Sequence, residues 1–226
     1  MHDFTNIIWR CMDGSQRHLT AGTDRARRYL KGFSPIVAFA DPEQPDFAAL
    51  DTVCEPRERF HCSEWSGAVP DGWTLERDAR MLVMVWTGAA APPEDPTLEA
   101  VPLDAEHVPQ MCALAELTRP GPFDTRTIEF GEYFGVFEGD RLVAMAGERM
   151  QDRHFREVSA VCTHPDQQGR GLARRLTELV VRRELARGET PFLHVVSANA
   201  RAIALYERIG FTTAREVPVR VISFTG

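Results

Sequence analysis

The segment from Arg156 to Arg187 constrains this chain more than any other. "REVSAVCTHP" is an apolar run closed by Pro165 and "QQGRG" is a turn. The following stretch carries Leu172, Leu176, Leu179 and Val180 at i, i+4, i+7 and i+8. That spacing puts the four on one helical face, and Gly188 stops the helix as a C-terminal cap. A helix start leaves its first N–H groups unpaired and partially positive. Gly169 and Gly171, having no Cβ, let a ligand approach the backbone. The stretch therefore predicts a phosphate or pyrophosphate cradle, with Arg170 and Arg174 adding charge. A tight turn without a ligand is the plainer alternative.

Two standard cradles fail. A dinucleotide fingerprint needs Gly or Ala where Arg174 stands. A P-loop needs Gly-Lys-Ser/Thr, and no lysine lies here.

The rest of the chain divides at "TGAAAPPEDP" (Thr87 to Pro96), a linker-like stretch. It suggests an N-terminal α+β domain over residues 1–90 and a second domain over 97–226. In the first, "SPIVAFAD" and "ARMLVMVW" read as strands and "PDFAALDTVC" as a short helix. The second opens with a helix in "DAEHVPQMCALAELT". "EYFGVFEGDRLVAMAGERM" follows as a hairpin turning at Glu-Gly-Asp. After the glycine turn come a buried strand, "PFLHVV", a helix, "ARAIALYERI", ended by Gly210, and a last strand, "PVRVISF". The order is helix, three strands, helix, strand, helix, strand.

Composition narrows the function. Hydrophobic residues make up 43% and charged residues 26%, as in an ordinary globular protein rather than a disordered one. The formal net charge of −7 disfavours a general nucleic-acid binder. No apolar run approaches a membrane span and the N-terminus lacks a signal-peptide pattern, so a cytoplasmic protein is expected. Five cysteines without a Cys-x-x-Cys pair give no disulfide framework and no metal site. The arginines from Arg170 to Arg187 form either a solvated helix face or a local anion site.

Gln168-Gly169-Arg170-Gly171-Leu172-Ala173 matches Q/R-x-x-G-x-G/A, and "NARAIALYERIGF" matches N-x-x-A-x-x-L-Y-x-x-x-G-F. With "EVSAVCTHP" as a central strand, residues 97–226 resemble the GNAT acyltransferase superfamily, in particular the branch related to glycine N-acyltransferase. The resemblance implies a mixed α/β (α+β), mostly antiparallel sheet flanked by helices, with residues 1–90 a smaller, degenerate half-fold. It also implies acetyl-CoA as co-substrate, no metal, and direct acyl transfer to a primary amine of a small molecule or amino acid.

By that resemblance, Val161, Cys162 and Thr163 line the pantetheine arm. Val161 and Thr163 offer main-chain contacts as a partner strand would. Gln168, Gly169, Arg170, Gly171, Leu172, Ala173 and Arg174 hold the pyrophosphate. Asn199 meets the pantetheine or simply caps its helix. Tyr206 protonates the leaving thiolate, or merely packs in a core stripe. The Val161 N–H is the oxyanion donor. Glu157 is the candidate base, with a solvated strand-end carboxylate as the alternative. His194 is the second candidate, because an imidazole suits proton transfer at neutral pH. Glu129 and Glu148 follow. Cys162 reads as a small core residue.

The loop from Thr118 to Tyr133 is expected to wall the acceptor cleft. There Arg119 and Arg126 would hold a carboxylate and Phe123 and Phe130 make an apolar wall. Two other readings keep the donor half: a CoA-binding regulatory module without chemistry, and a protein or peptide acetyltransferase.

Overall fold

The computed structural model describes residues 3–226. Helix α1 (Ile7–Asp13) leads into strands β1 (Thr20–Gly22), β2 (Ala26–Tyr29) and β3 (Ile36–Phe39). Helix α2 (Phe47–Asp51), β4 (Arg59–Ser63) and the long β5 (Trp73–Trp86) follow. After the linker come β6 (Ala100–Pro102), α3 (Val108–Thr118), β7 (Tyr133–Glu138), β8 (Arg141–Asp152) and β9 (Phe155–Thr163). Helix α4 (Leu172–Ala186), β10 (Thr190–Val196), α5 (Ala200–Ile209) and β11 (Phe211–Phe224) complete the chain. The hairpin, the glycine turn, α4, β10 and α5 stand where the sequence puts them.

All the strands form one sheet in the order β1-β2-β3-β4-β11-β5-β10-β9-β8-β7-β6. Among the described residues only β3–β4 and β9–β10 pair in parallel. The sheet runs unbroken across residue 90, because β5 lies between β10 and β11. The reason is visible in "MLVMVW". Met81, Val83 and Val85 pack into one core while Met84 and Trp86 pack into another. A strand covered on both faces reads as a continuous apolar run. Strand β11 is longer than "PVRVISF" suggests; it starts at Phe211 and pairs with β5 along its whole length, from Trp86 to Trp73.

One face of the sheet carries α1, with Phe4, Tyr29, Phe33, Phe130, Phe155 and Phe192 buried together. The other carries α4 and α5, whose Leu172, Leu176, Val180 and Tyr206 pack with Leu193 and Val195. The linker is docked rather than loose. Arg175 binds Asp95 and Thr97, and Arg182 donates to the Pro93 carbonyl. Most of the arginine run is spent this way, since Arg183 and Arg187 bind Glu132.

Two irregularities in β9 shape the site. Ala160 has φ 53°, a left-handed backbone that costs a non-glycine residue roughly 1–2 kcal/mol. The register opposite it on β8 slips between Met145 and Gly147, which marks a bulge. Strands β9 and β10 pair only from Phe155–Glu157 to Thr190–Phe192. Beyond that point β10 stays with β5 and β9 stays with β8, and a gap opens.

The halves share an order of elements. The run α1, β1, β2, β3, α2, β4 repeats α3, β7, β8, β9, α4, β10, and in both the last two strands are parallel.

Candidate active site

The glycine turn sits where the sequence predicts. Gly169 has φ 83° and Gly171 φ 74°, values that L side chains rarely adopt. Nothing lies within 4 Å of a Cβ built on either one, so the space above the turn is open. Gly171 caps α4 and no side chain satisfies the first N–H groups of that helix. Unpaired N–H groups facing open space at the positive end of a 15-residue helix fit an anionic phosphate. Gln168 differs from expectation. Its N–H leans on the Pro165 carbonyl at 3.3 Å, closing the short turn before the glycines.

The turn opens into a cleft of about 440 Å³ between β9, α4 and α5. Val161, Cys162 and Thr163 line it from the strand, and Gln168, Gly169, Gly171, Leu172, Ala173 and Arg174 line it from the turn. Arg170 does not. It is held outside by Gln167 and lies 3.7 Å from Glu138. Asn199 lines the cleft and also caps α5, accepting from the Ala202 N–H at 3.2 Å. The Thr163 hydroxyl is buried with no hydrogen-bond partner in the protein.

Tyr206 lines the same cleft and is only 9% exposed. Burial, with Cys162 beside it, pushes its phenol up to about 12, so the proton stays on at neutral pH. Burial likewise pushes the Cys162 thiol to about 11, and the side chain packs against Met111 and Met145. A thiol in that state is a poor nucleophile.

Glu157 is not in the cleft. It lies at the apex of the gap, fully buried, and takes two hydrogen bonds from Arg149 at 2.8 and 2.7 Å. His194 Nδ1 stands 2.6 Å from its Oε1. Burial alone would raise this carboxyl, but the charge and hydrogen bonds of Arg149, with His194, bring it down to about 2. The other carboxylates of the sequence reading are spent elsewhere. Glu129 forms a two-armed pair with Arg126, and Glu148 is buried beneath Arg187 and the Glu132 N–H.

The acceptor loop departs from expectation. Arg126 is tied to Glu129 and stacks 4.3 Å over the Phe33 ring, leaving no free fork for a carboxylate. Phe130 is a core residue, 4.8 Å from Tyr29 and 4.9 Å from Phe33. Phe123 meets Tyr133 edge-on at 6.0 Å. Arg119, in a left-handed C-cap, lines the cleft beside the glycine turn instead. Arg201 and Arg208 of α5 also line that cleft. The sequence reading missed both, although their spacing of seven residues places them on one helical face beside the apolar stripe.

The comparisons with known proteins agree with this geometry. The model for the FR47-like protein family matches residues 133–221. A solved structure assigned to the GNAT family, from Novosphingobium aromaticivorans, is 35% identical. That match covers 100% of both chains with a TM-score of 0.91. A GCN5-related N-acetyltransferase from Kribbella flavida shares the fold at 17% identity and a TM-score of 0.66. Two curated relatives match over shorter stretches. Mycothiol acetyltransferase of Streptomyces scabiei is 35% identical over 83 residues, and N-alpha-acetyltransferase RimI of Mycobacterium tuberculosis is 37% identical over 82. These matches cover 36% and 35% of this chain but only 27% and 51% of the relatives' own lengths. No helix among the described residues is long and apolar enough to cross a membrane. With a relative 35% identical over the full length of both chains, the chain belongs to the GNAT family.

Proposed function

We propose that the protein is an acetyl-CoA-dependent N-acetyltransferase acting on a primary amine of a small molecule or amino acid. The observation that carries this reading is the cleft, which runs from an uncapped helix start, along an unpaired strand edge, to a buried protonated tyrosine. The pyrophosphate sits on the N–H groups after Gly171, with Arg174, Arg201 and Arg208 supplying charge. The pantetheine arm fills the gap as an added strand against Val161 and Thr163. The Val161 N–H, just after the bulge at Ala160, faces the developing oxyanion. Tyr206 gives its proton to the departing thiolate.

The N-terminal half is, in this reading, a degenerate copy of the catalytic half, as the shared order of elements suggests. That extra half also supports the likeness to the glycine N-acyltransferase branch. The two curated relatives are named for mycothiol and for N-alpha acetylation. A panel of small amines beside N-terminal peptides separates these acceptor classes.

Calorimetric titration with acetyl-CoA tests the donor site directly. Micromolar binding is expected. It is lost in Gly169→Glu, whose carboxylate enters the cradle, and largely kept in Gly169→Asn, since asparagine tolerates the left-handed backbone. A folded protein that does not bind acetyl-CoA would refute the reading.

A further inference from the structure

A second cavity, of about 50 Å³, lies beside the gap on the opposite face of the sheet from the donor cleft. Both halves of the chain build it. Ile8, Ile36 and Ser63 come from the first half, and Met150, Val219 and His194 from the second. One water needs roughly 10–15 Å³ of such space, so the cavity takes a few non-hydrogen atoms.

Its chemistry is selective. Arg149 reaches the lining but is already bound by Glu157. Burial, with Arg149 and Arg59 adding repulsion, pushes the lining His61 down to about 4 and keeps it neutral. No free cation therefore waits for a carboxylate here. Apart from Ser63, the remaining walls, including Met81 and Pro122, are largely apolar.

His194 is the exception. Its side chain is 6% exposed and its Nε2 is buried with no hydrogen-bond partner. The other nitrogen fixes what Nε2 can do. Glu157 is ionised, so its oxygens only accept. Nδ1 must then carry the proton shared with Oε1, and in the neutral ring Nε2 is left with a lone pair. A buried lone pair without a donor is costly unless a ligand supplies one.

We propose that this cavity is the acceptor subsite, that it takes a primary amine on a short uncharged carbon arm, and that His194 Nε2 accepts the amine proton. Glu157 and Arg149 are positioning residues that act through His194. The inference rests on the acetyltransferase reading. An entering ammonium gives one proton to Nε2, and the freed nitrogen pair forms the C–N bond while the carbonyl π pair moves to oxygen. That pair returns as the C–S bond breaks, and the thiolate takes the Tyr206 proton. The nitrogen's second proton restores the phenol, and His194 releases the first to solvent.

The charged and titratable groups facing His194 are Glu157 on β9, Arg149 on β8, His61 on β4, and Glu64 with its partner Arg215. The test uses the full chain and acetyl-CoA with n-alkylamines from ethylamine to hexylamine, β-alanine, and a short peptide with a free N-terminus. CoA release and product mass are read. Propylamine is expected to exceed β-alanine by tenfold or more in kcat/KM. His194→Gln should lower kcat by about 10²-fold or more, with acetyl-CoA affinity within twofold of wild type. Its residual rate should climb about tenfold per pH unit from 7 to 9, because only the free base of an amine titrating near ~10 then reacts. Wild type stays flatter. Ser63→Leu, which fills the cavity from the other half, should raise KM for the amines tenfold with acetyl-CoA binding unchanged. Wild-type turnover in His194→Gln, a deficit equal at every pH, or a preference for β-alanine or peptide would overturn the inference. Absence of acetyl-CoA binding by wild type would instead overturn the proposed function, and this inference with it.

Discussion

Glu157→Gln removes one charge from a buried pair and leaves the other stranded. The Arg149 side chain is nearly as buried as Glu157 itself, and the contacts are short and two-armed. Removing one partner of such a pair typically costs about 3–5 kcal/mol, because the remaining guanidinium keeps its desolvation penalty without its counter-charge. The amide can still accept one hydrogen bond, so a loss near ~3 kcal/mol is expected. Arg149→Met should cost a similar amount. The double variant should cost clearly less than the sum, since neither charge remains. Urea unfolding followed by fluorescence at pH 7 measures all four proteins. The pH dependence is also set. The folded carboxyl titrates near 2 against an ordinary 4.5, so its contribution is complete above the ordinary value and disappears as the pH falls through about 2. The gap between wild type and Glu157→Gln should hold steady from pH 8 to 5 and shrink below that. A single-variant loss under about 1 kcal/mol, or strict additivity in the cycle, would refute the reasoning.

Two further outcomes follow from named groups. Tyr206→Phe keeps the ring on its α5 stripe and removes only the hydroxyl, so kcat should fall about 10²-fold while acetyl-CoA affinity and unfolding midpoint barely move; unchanged kcat in steady-state assays would remove its assigned role. Glu184 on α4 is fully buried with neither carboxyl oxygen partnered, and burial, with Glu148 and Glu189 nearby, raises it well above the usual carboxylate range. A raised acid destabilises the fold increasingly as pH climbs from its unfolded value, so Glu184→Met should stabilise by roughly 1–3 kcal/mol at neutral pH, with the gain shrinking toward pH 4 in the same urea assay.

The glycine turn and the cleft beside it were legible because they are local. Gln168 to Ala173 and Asn199 to Phe211 are short stretches whose spacing already encodes a turn, a helix start and a tyrosine on a stripe. The hairpin and α4 were legible for the same reason. Glu157 and His194 were each named from sequence as a candidate base, but their meeting was not legible, because it is assembled by pairing distant strands. Glu157 and His194 are 37 residues apart and meet only because β9 and β10 pair up to the apex of the gap. Arg149 joins them from β8 through the register slip after Glu148. Arg126 and Phe130 looked like a carboxylate clamp and a wall. Their neighbours in space, Glu129 and Phe33, decide otherwise. Strands β1 and β2 are short and uniform in burial, so neither shows a period, and the alternation of β4 spans only five residues.

The two halves differ most where the donor would bind. Helix α4 begins at a glycine with no side-chain cap, after a turn with open space above it. Its counterpart α2 has only five residues, and the Asp46 carboxylate accepts the Ala49 N–H at 3.1 Å. That carboxylate occupies the place a phosphate would take and repels one besides, with Asp41 and Glu43 just upstream. The first half is thus unfit to hold a nucleotide tail, and what it offers is walls. Tyr29 donates to Gln16, and Gln16 donates to the Arg149 carbonyl at 2.7 Å, which anchors the strand that grips Glu157. Ile8, Ile36 and Ser63 close the cavity over His194. The contacts that remain to the first half lie around the cavity proposed above as the acceptor subsite.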